Sequence, residues 1–396
     1  MRSANSWQAA LIEDWRNGGF GLYLHWPFCE AKCPYCDFNS HVSRQIDQTA
    51  WQVAYLSEIE RVGALTKDRV LNSVFFGGGT PSLMNPDLVD AILEKIRDTW
   101  TLANDLEVTL EANPGSVEAG RFKAYSEAGV NRVSMGFQAL NNRDLRRLGR
   151  IHTVEEGRRA FDIARSTFKR VSFDLIYARQ EQAPEDWRAE LTEALNMAVD
   201  HLSLYQLTIE QGTAFGDRYN AGKLRDLPND DAAAEMYEIT QEVCDAFGMP
   251  AYEVSNHARP DAESRHNMIY WRYGDYAGIG PGAHGRLTLN GKKHATEAFR
   301  QPNLWLERAL GGNGDSVVGA LTPQDMAGEY LIMGMRINDG IDVTRFEALA
   351  GQSINQDGLR DLLDWGMVTA TPNEISTTRA GRMVLNAVIE KLMPDQ

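Results

Sequence analysis

The 396-residue sequence predicts an α/β protein, a parallel sheet with helices outside it, joined to a smaller helical unit. Three observations predict this. Short apolar runs alternate with amphipathic stretches six times, the rhythm of a parallel sheet that is either open or closed into a barrel. The rhythm breaks after about residue 215. The length also exceeds the roughly 250 residues that a single α/β barrel absorbs.

The strands are expected at "GLYLHW" (21–26), "LNSVFF" (71–76), "LEVTLEA" (106–112), "NRVSMGF" (131–137), "RVSFDLIY" (170–177) and "HLSLYQLTI" (201–209). Each is short, rich in β-branched or aromatic residues, and bounded by turn chemistry. Helices are expected between them at 50–65, 86–99, 117–128, 141–165 and 185–199. In "NPGSVEAGRFKAYSEAGV", Ser116 is placed to cap, Phe122, Tyr125 and Ala128 share a stripe, and Gly129 ends the run. In such a sheet the functional site lies where the strands end at their carboxyl sides. Beyond residue 215 a helix over 229–247, with Met236, Val243 and Phe247 on one face, leads into the Gly-rich "YGDYAGIGPGAHG" (273–285). "GGNGDS" (311–316) reads as a hinge. The expected organisation is an N-terminal segment (1–20), a sheet-and-helix unit (21–250), an extension of it (251–310), and a winged-helix-like module (315–396) of helix, helix, hairpin and helix.

Composition narrows the function classes. Net charge is −15 and no Lys/Arg-rich run occurs, so a dedicated nucleic-acid binder is not expected. The last module carries six Lys/Arg against twelve Asp/Glu, the wrong sign for gripping DNA. No apolar stretch approaches the roughly 18 residues of a membrane span. The first twenty residues carry acids and Trp in place of a clean apolar signal, which points to the cytoplasm. Four cysteines are too few for a disulfide framework.

Three of those cysteines crowd into "HWPFCEAKCPYCDFNSH" (25–41), directly after the first strand. Cys29, Cys33 and Cys36 are spaced C-x3-C-x2-C in a loop with Glu30, Lys32 and Pro34, which is not a core composition. Two readings stand on spacing alone. A closed zinc site would add His25, His41 or the distant Cys244 as fourth donor. An iron–sulfur cluster on three thiolates would leave one iron without a protein ligand. Polar residues also recur at successive strand ends: "FFGGGTPS" after the second, Glu111 at the third, Gln138 at the fourth, Asp174 in the fifth. As a set, these are costly to bury without a ligand as partner.

C-x3-C-x2-C with an aromatic, Tyr35, just before the third cysteine resembles the signature of the radical S-adenosylmethionine superfamily. The resemblance implies a partial (β/α)6 TIM-like barrel and a [4Fe–4S] cluster on Cys29, Cys33 and Cys36. It also implies S-adenosylmethionine chelated to the open iron and, on one-electron reduction, cleaved to a 5′-deoxyadenosyl radical. Within the superfamily, "GGGTPSL", "LEANPG", "RVSMGFQAL", "LRRLGRIHT", "FDLIY", "LSLYQLTIE", "YEVSN" and "GDYAGIGPGAHG" resemble the oxygen-independent coproporphyrinogen III oxidases and the HemW-type haem chaperones, in order, over about 20–290. By position in that branch, Tyr23, Tyr35, Gly78, Gly79, Thr80, Glu111, Gln138, Arg150 and Asp174 are implied contacts of adenosylmethionine.

Two features favour the chaperones. The oxidases resemble C-x3-C-x2-C-x-C, whereas here Cys36 is followed by Asp37 and Phe38. "HNMIYW" (266–271) is similar to the chaperones' H-N-x-x-Y-W, implying haem ligation by His266. Implied acceptors are apo-haem proteins such as respiratory enzymes, and the sequence leaves room for a homodimer. The rivals are radical decarboxylation of coproporphyrinogen III, and a zinc-stabilised interaction protein. One departure stands out: the branch continues "DLIYGLP", this chain "DLIYARQEQA". His152, His201, His257, His284 and His294 read as structural or surface residues, and Cys244 as a buried thiol.

Overall fold

A computed structural model of the chain describes residues 13–43 and 45–394; the expected N-terminal segment therefore lies outside the described residues as far as residue 12. Eleven strands form one mixed sheet. In chain order they are β1 (Phe20–Trp26), β2 (Val70–Gly78), β3 (Thr101–Ala112), β4 (Arg132–Gln138), β5 (Arg170–Tyr177), β6 (His201–Gln206), β7 (Asn256–Ala258), β8 (Asp275–Ile279), β9 (His284–Leu289), β10 (Lys292–Ala298) and β11 (Asp315–Ala320). Strands β1 to β6 lie side by side in chain order, all parallel. This is the partial (β/α)6 unit. β7 adds antiparallel to β6, while β8 adds parallel to β1 and carries the antiparallel β9, β10 and β11. The outer strands β7 and β11 do not pair among the described residues, so the sheet stays open.

The parallel strands are buried on both faces, as helical crossovers require. Phe20, Leu22, Leu24 and Trp26 of β1, Val74 and Phe76 of β2, and Phe137 and Phe173 further along anchor one continuous core. Helices start where the local chemistry provides caps. The Asp47 carboxylate accepts from the Thr49 and Ala50 amides, Asn85 caps the helix beginning at Pro86, and Thr153 and Glu156 form a reciprocal capping box.

Several elements differ from the sequence reading. The single helix expected over 141–165 is two, Asn142–Arg147 and Val154–Thr167. Gly149, at φ +69°, ends the first in a left-handed turn, and the capping box restarts the second. Ser116 does not cap the next helix. It sits in a 3-10 turn, bonded to Ser82 Oγ at 2.5 Å, and the helix runs Ala119–Ala128 to a left-handed Gly129. The strand expected over 201–209 ends at Gln206.

Residues 315–320, read as the start of the last module, form the edge strand β11 paired with β10. The module that follows has three helices (Pro323–Gly334, Val343–Ala350, Gln356–Asp364), a hairpin (Val368–Ala370, Glu374–Thr377) and two short helices, around its own core of Tyr330, Leu331, Phe346, Val388 and Leu392. Largely buried ion pairs fasten it to β9, through Arg286 with Glu329 at 2.8 Å, and to the turn before β1, through Arg345 with Asp14 at 2.8 Å. Among the described residues, no helix is long and apolar enough to cross a membrane.

Candidate metal-cluster and cofactor site

The thiol loop leaves β1 at the carboxyl end of the sheet and is closed by a short parallel ladder, Phe28–Cys29 against His41–Val42. Cys29, Cys33 and Cys36 are free and half-buried. Each has a polar neighbour. Thr80 Oγ1 donates to Cys29 at 3.5 Å, Arg150 Nη1 to Cys33 at 3.4 Å, and Ser40 Oγ lies 3.8 Å from the Cys36 sulfur. Burial pushes the Cys29 and Cys36 thiols up, partly offset by the Thr80 and Ser40 bonds respectively and, at Cys36, by the Phe38 backbone.

The "GGGT" segment grips this loop. The Gly79 amide donates to the Trp26 carbonyl at 2.7 Å and the Thr80 amide to that of Phe28 at 2.9 Å. A Cβ on Gly79 would meet the Phe28 backbone at 2.7 Å, and one on Gly78 the His25 ring at 2.5 Å. The glycines are thus required by the close approach of the loop itself. Gly78, at φ +110°, turns its amide to Glu111 Oε2 at 3.1 Å.

Glu111 on β3 and Asp174 on β5 are two carboxyl groups that flank β4 and line the same cavity. Removal from water, then the nearby Asp174, push Glu111 up to about 8. Desolvation pushes Asp174 up to about 6, opposed by hydroxyl bonds from Ser203 and Ser134. Gln138 follows a bulge in β4 at φ +74°. Arg150 owes its place to the helix break: Gly149 packs against Pro34 of the thiol loop so closely that a Cβ would meet Pro34 Cδ at 2.5 Å. Tyr35 packs near Phe215, ring centroids 6.3 Å apart. All the predicted site residues except Tyr23 and His266 line one cavity.

Tyr23 and His266 line a second cavity with Glu111 and Asp174, deeper in the polar interior with Arg132, His201 and Ser203. His266 is 2% exposed and stacks on Phe75 at 5.0 Å. Both its ring nitrogens are engaged, Nδ1 with Ser73 Oγ at 2.7 Å and Nε2 with Tyr270 OH at 2.7 Å. A third cavity, of ≈ 480 Å³, opens beside the thiol loop and shares Phe38, Gly78 and Glu111 with the first. Tyr23, Tyr270, Trp271 and Tyr276 contribute to its lining.

Residues 23–192 match the radical SAM superfamily and residues 321–384 the HemN C-terminal domain. The chain is 38% identical over 385 residues to the mouse mitochondrial radical S-adenosyl methionine domain-containing protein 1, covering 94% of this chain and 87% of that one. The chain belongs to the radical SAM superfamily. It is 35% identical over 382 residues to the heme chaperone HemW of Escherichia coli K12, covering 94% and 98% of the two. The fold matches the solved coproporphyrinogen III oxidase (HemN) of Escherichia coli with a TM-score of 0.80 at 22% identity, covering 99% of this chain and 93% of that one.

The thiols of this radical SAM chain fit a cluster better than a zinc ion. A closed zinc site takes four convergent donors. His25 is bonded through both nitrogens, to Tyr23 OH and the Asn39 carbonyl at 2.9 Å each, and His41 Nε2 to Asn39 Oδ1 at 3.2 Å. Cys244 is fully buried in a helix of the core. Three half-buried thiols beside hydrogen-bond donors suit a [4Fe–4S] cluster, whose potential such bonds tune. When bound, it supplies one-electron chemistry and an iron open to a non-protein ligand. The chain's own groups could hold a cationic amino acid there: Glu111 and Asp174 as acceptors for its ammonium, Arg150 as a guanidinium for its carboxylate.

Sequence reasoning missed residues that hold the site together. Asn39 donates to the carbonyls of Pro281 and Arg300, 2.8 Å each, tying the thiol loop to the turn before β9 and to the segment after β10. Its signal was its place in the "DFNSH" tail of the thiol motif. The departure "ARQEQA" is also structural: Ala178 takes φ +56°, and the buried Arg179 binds Asp144 Oδ2 at 3.0 Å and Glu190.

Proposed function

We propose that the protein is a haem chaperone that carries a [4Fe–4S] cluster with adenosylmethionine and passes haem to apo-haem proteins, respiratory enzymes among them, as a monomer or homodimer. In this reading Cys29, Cys33 and Cys36 hold the cluster. Tyr23, Tyr35, Gly78, Gly79, Thr80, Glu111, Gln138, Arg150 and Asp174 form the adenosylmethionine site. The observation that carries the reading is the aromatic cavity of ≈ 480 Å³ joined to the thiol site through Phe38, Gly78 and Glu111. Its size lies within the roughly 300–1,000 Å³ of small-molecule sites, and its Tyr and Trp walls suit a flat macrocycle. Tyr270 and Trp271 of the H-N-x-x-Y-W stretch belong to it, with His266 behind Tyr270.

The choice against an oxidase rests on position 38. The fourth cysteine of the oxidase motif would fall there; instead Phe38, 60% exposed, lines both cavities. Relatives named heme chaperone HemW, 33–35% identical over 94–95% of the chain, support the same choice. The test incubates anaerobically reconstituted protein with haem, then with an apo-haem protein, and follows the Soret band to the acceptor. A parallel incubation supplies coproporphyrinogen III, reductant and adenosylmethionine. Haem transfer without decarboxylation is expected; turnover to protoporphyrinogen would make the protein an oxidase.

A further inference from the structure

His284 is the one histidine of the thiol-side cavity whose imidazole is left without a hydrogen-bond partner among the described residues. It opens β9, exposed, at the end of the Gly-rich turn "GIGPGAHG", and it lines the ≈ 480 Å³ cavity. The turn is built to bring the chain in closely. Gly280 and Gly282 take φ +115° and +72°, and a Cβ on Gly278 would meet the His284 carbonyl at 2.2 Å. Such geometry admits only glycine. His25, the other histidine in the lining, has both nitrogens taken, and so has His266 behind the wall. His201 and His294 also have ring partners, Tyr252 OH and the Lys292 carbonyl.

Three further groups of the same cavity lack protein partners or offer a surface to a ligand. Arg300 is exposed and in no ion pair among the described residues. The Trp271 indole nitrogen is buried without an acceptor. Met333, from the C-terminal module, adds a thioether to the lining. A free imidazole, aromatic walls and a spare guanidinium match the three parts of haem: iron, macrocycle and propionates. Asn39 fixes this arrangement to the thiol loop through the Pro281 and Arg300 carbonyls.

We propose that His284, rather than His266, is the protein ligand to haem iron, with Arg300 pairing a propionate. The proposal rests on the haem-chaperone reading and names the ligand within it. His266 becomes a positioning residue that orients Tyr270 in the cavity wall.

The test titrates haem into full-length protein, His284→Ala, and His266→Gln, reading the Soret band and the haem EPR signal; circular dichroism confirms folding. The expected result is that His284→Ala weakens binding at least tenfold and loses the histidine-ligated spectrum, which added imidazole restores, while His266→Gln keeps that spectrum. Arg300→Ala should weaken haem but leave the haem dimethyl ester, which has no propionate charge, unaffected. An unchanged spectrum and affinity in His284→Ala overturns the proposal while leaving the chaperone reading in place. Failure of the parent protein to bind haem overturns both.

Discussion

Arg150 ties Cys33 to the end of β4: one guanidinium nitrogen donates to the thiol at 3.4 Å, another to the Gly136 carbonyl at 2.8 Å. Lysine cannot span both, because it lacks the planar fork. Hydrogen bonds to charged groups are worth about 1.5–3 kcal/mol, so Arg150→Lys should weaken adenosylmethionine binding roughly tenfold or more while iron content stays at the parent level. Equal affinity in calorimetry would mean the bridge only shapes the loop.

The buried carboxyl pair gives a pH prediction. Glu111 sits at about 8, above the ordinary carboxylate range. The folded chain therefore keeps a proton that the unfolded chain releases, so this group costs stability as pH rises from about 5 to 8. Glu111→Gln removes that cost and keeps an acceptor for the Gly78 amide. In thermal melts of ligand-free protein, the variant's stability relative to the parent should increase across that range. Parallel curves would contradict the raised value.

Much of this was legible in the sequence for a physical reason. Parallel strands buried on both faces read as continuous apolar runs, and functional groups collect at their carboxyl ends, so Cys29, Glu111, Gln138 and Asp174 could be placed without coordinates. What was not legible depends on contacts distant in sequence. The break at Gly149 looks like helix until Pro34 is seen against it. His266 reads as a ligand until Ser73, 193 positions away, takes one ring nitrogen. The strand Asp315–Ala320 alternates too weakly to be recognised, because as an edge strand it is mostly exposed.

The four cysteines should separate cleanly. Cys29→Ala, Cys33→Ala and Cys36→Ala should each abolish the broad visible absorption of anaerobically reconstituted protein. Cys244→Ala, in the core helix, should keep it and cost about 1 kcal/mol in denaturant unfolding. Loss of the absorption in the last variant, with folding intact, would place Cys244 among the ligands.

The loop after β5 makes a stability prediction. Ala178 occupies a left-handed conformation that costs a non-glycine residue roughly 1–2 kcal/mol, so Ala178→Gly should stabilise by up to about 1 kcal/mol after the entropy of glycine is subtracted. Arg179→Met should destabilise by about 2–3 kcal/mol, since Glu190 loses its cation while Asp144 keeps Arg143 at 3.2 Å. Urea titrations compare both with the parent; a neutral Arg179→Met would show that water replaces the guanidinium.

The most direct measurement is the EPR spectrum of dithionite-reduced, anaerobically reconstituted protein, recorded before and after adenosylmethionine is added. A reduced four-iron signal that changes on addition is predicted, since a four-iron cluster on three thiolates would leave one iron without a protein ligand. A spectrum without that signal, or a signal indifferent to adenosylmethionine, would contradict the assignment of Cys29, Cys33 and Cys36 to an open-cornered cluster.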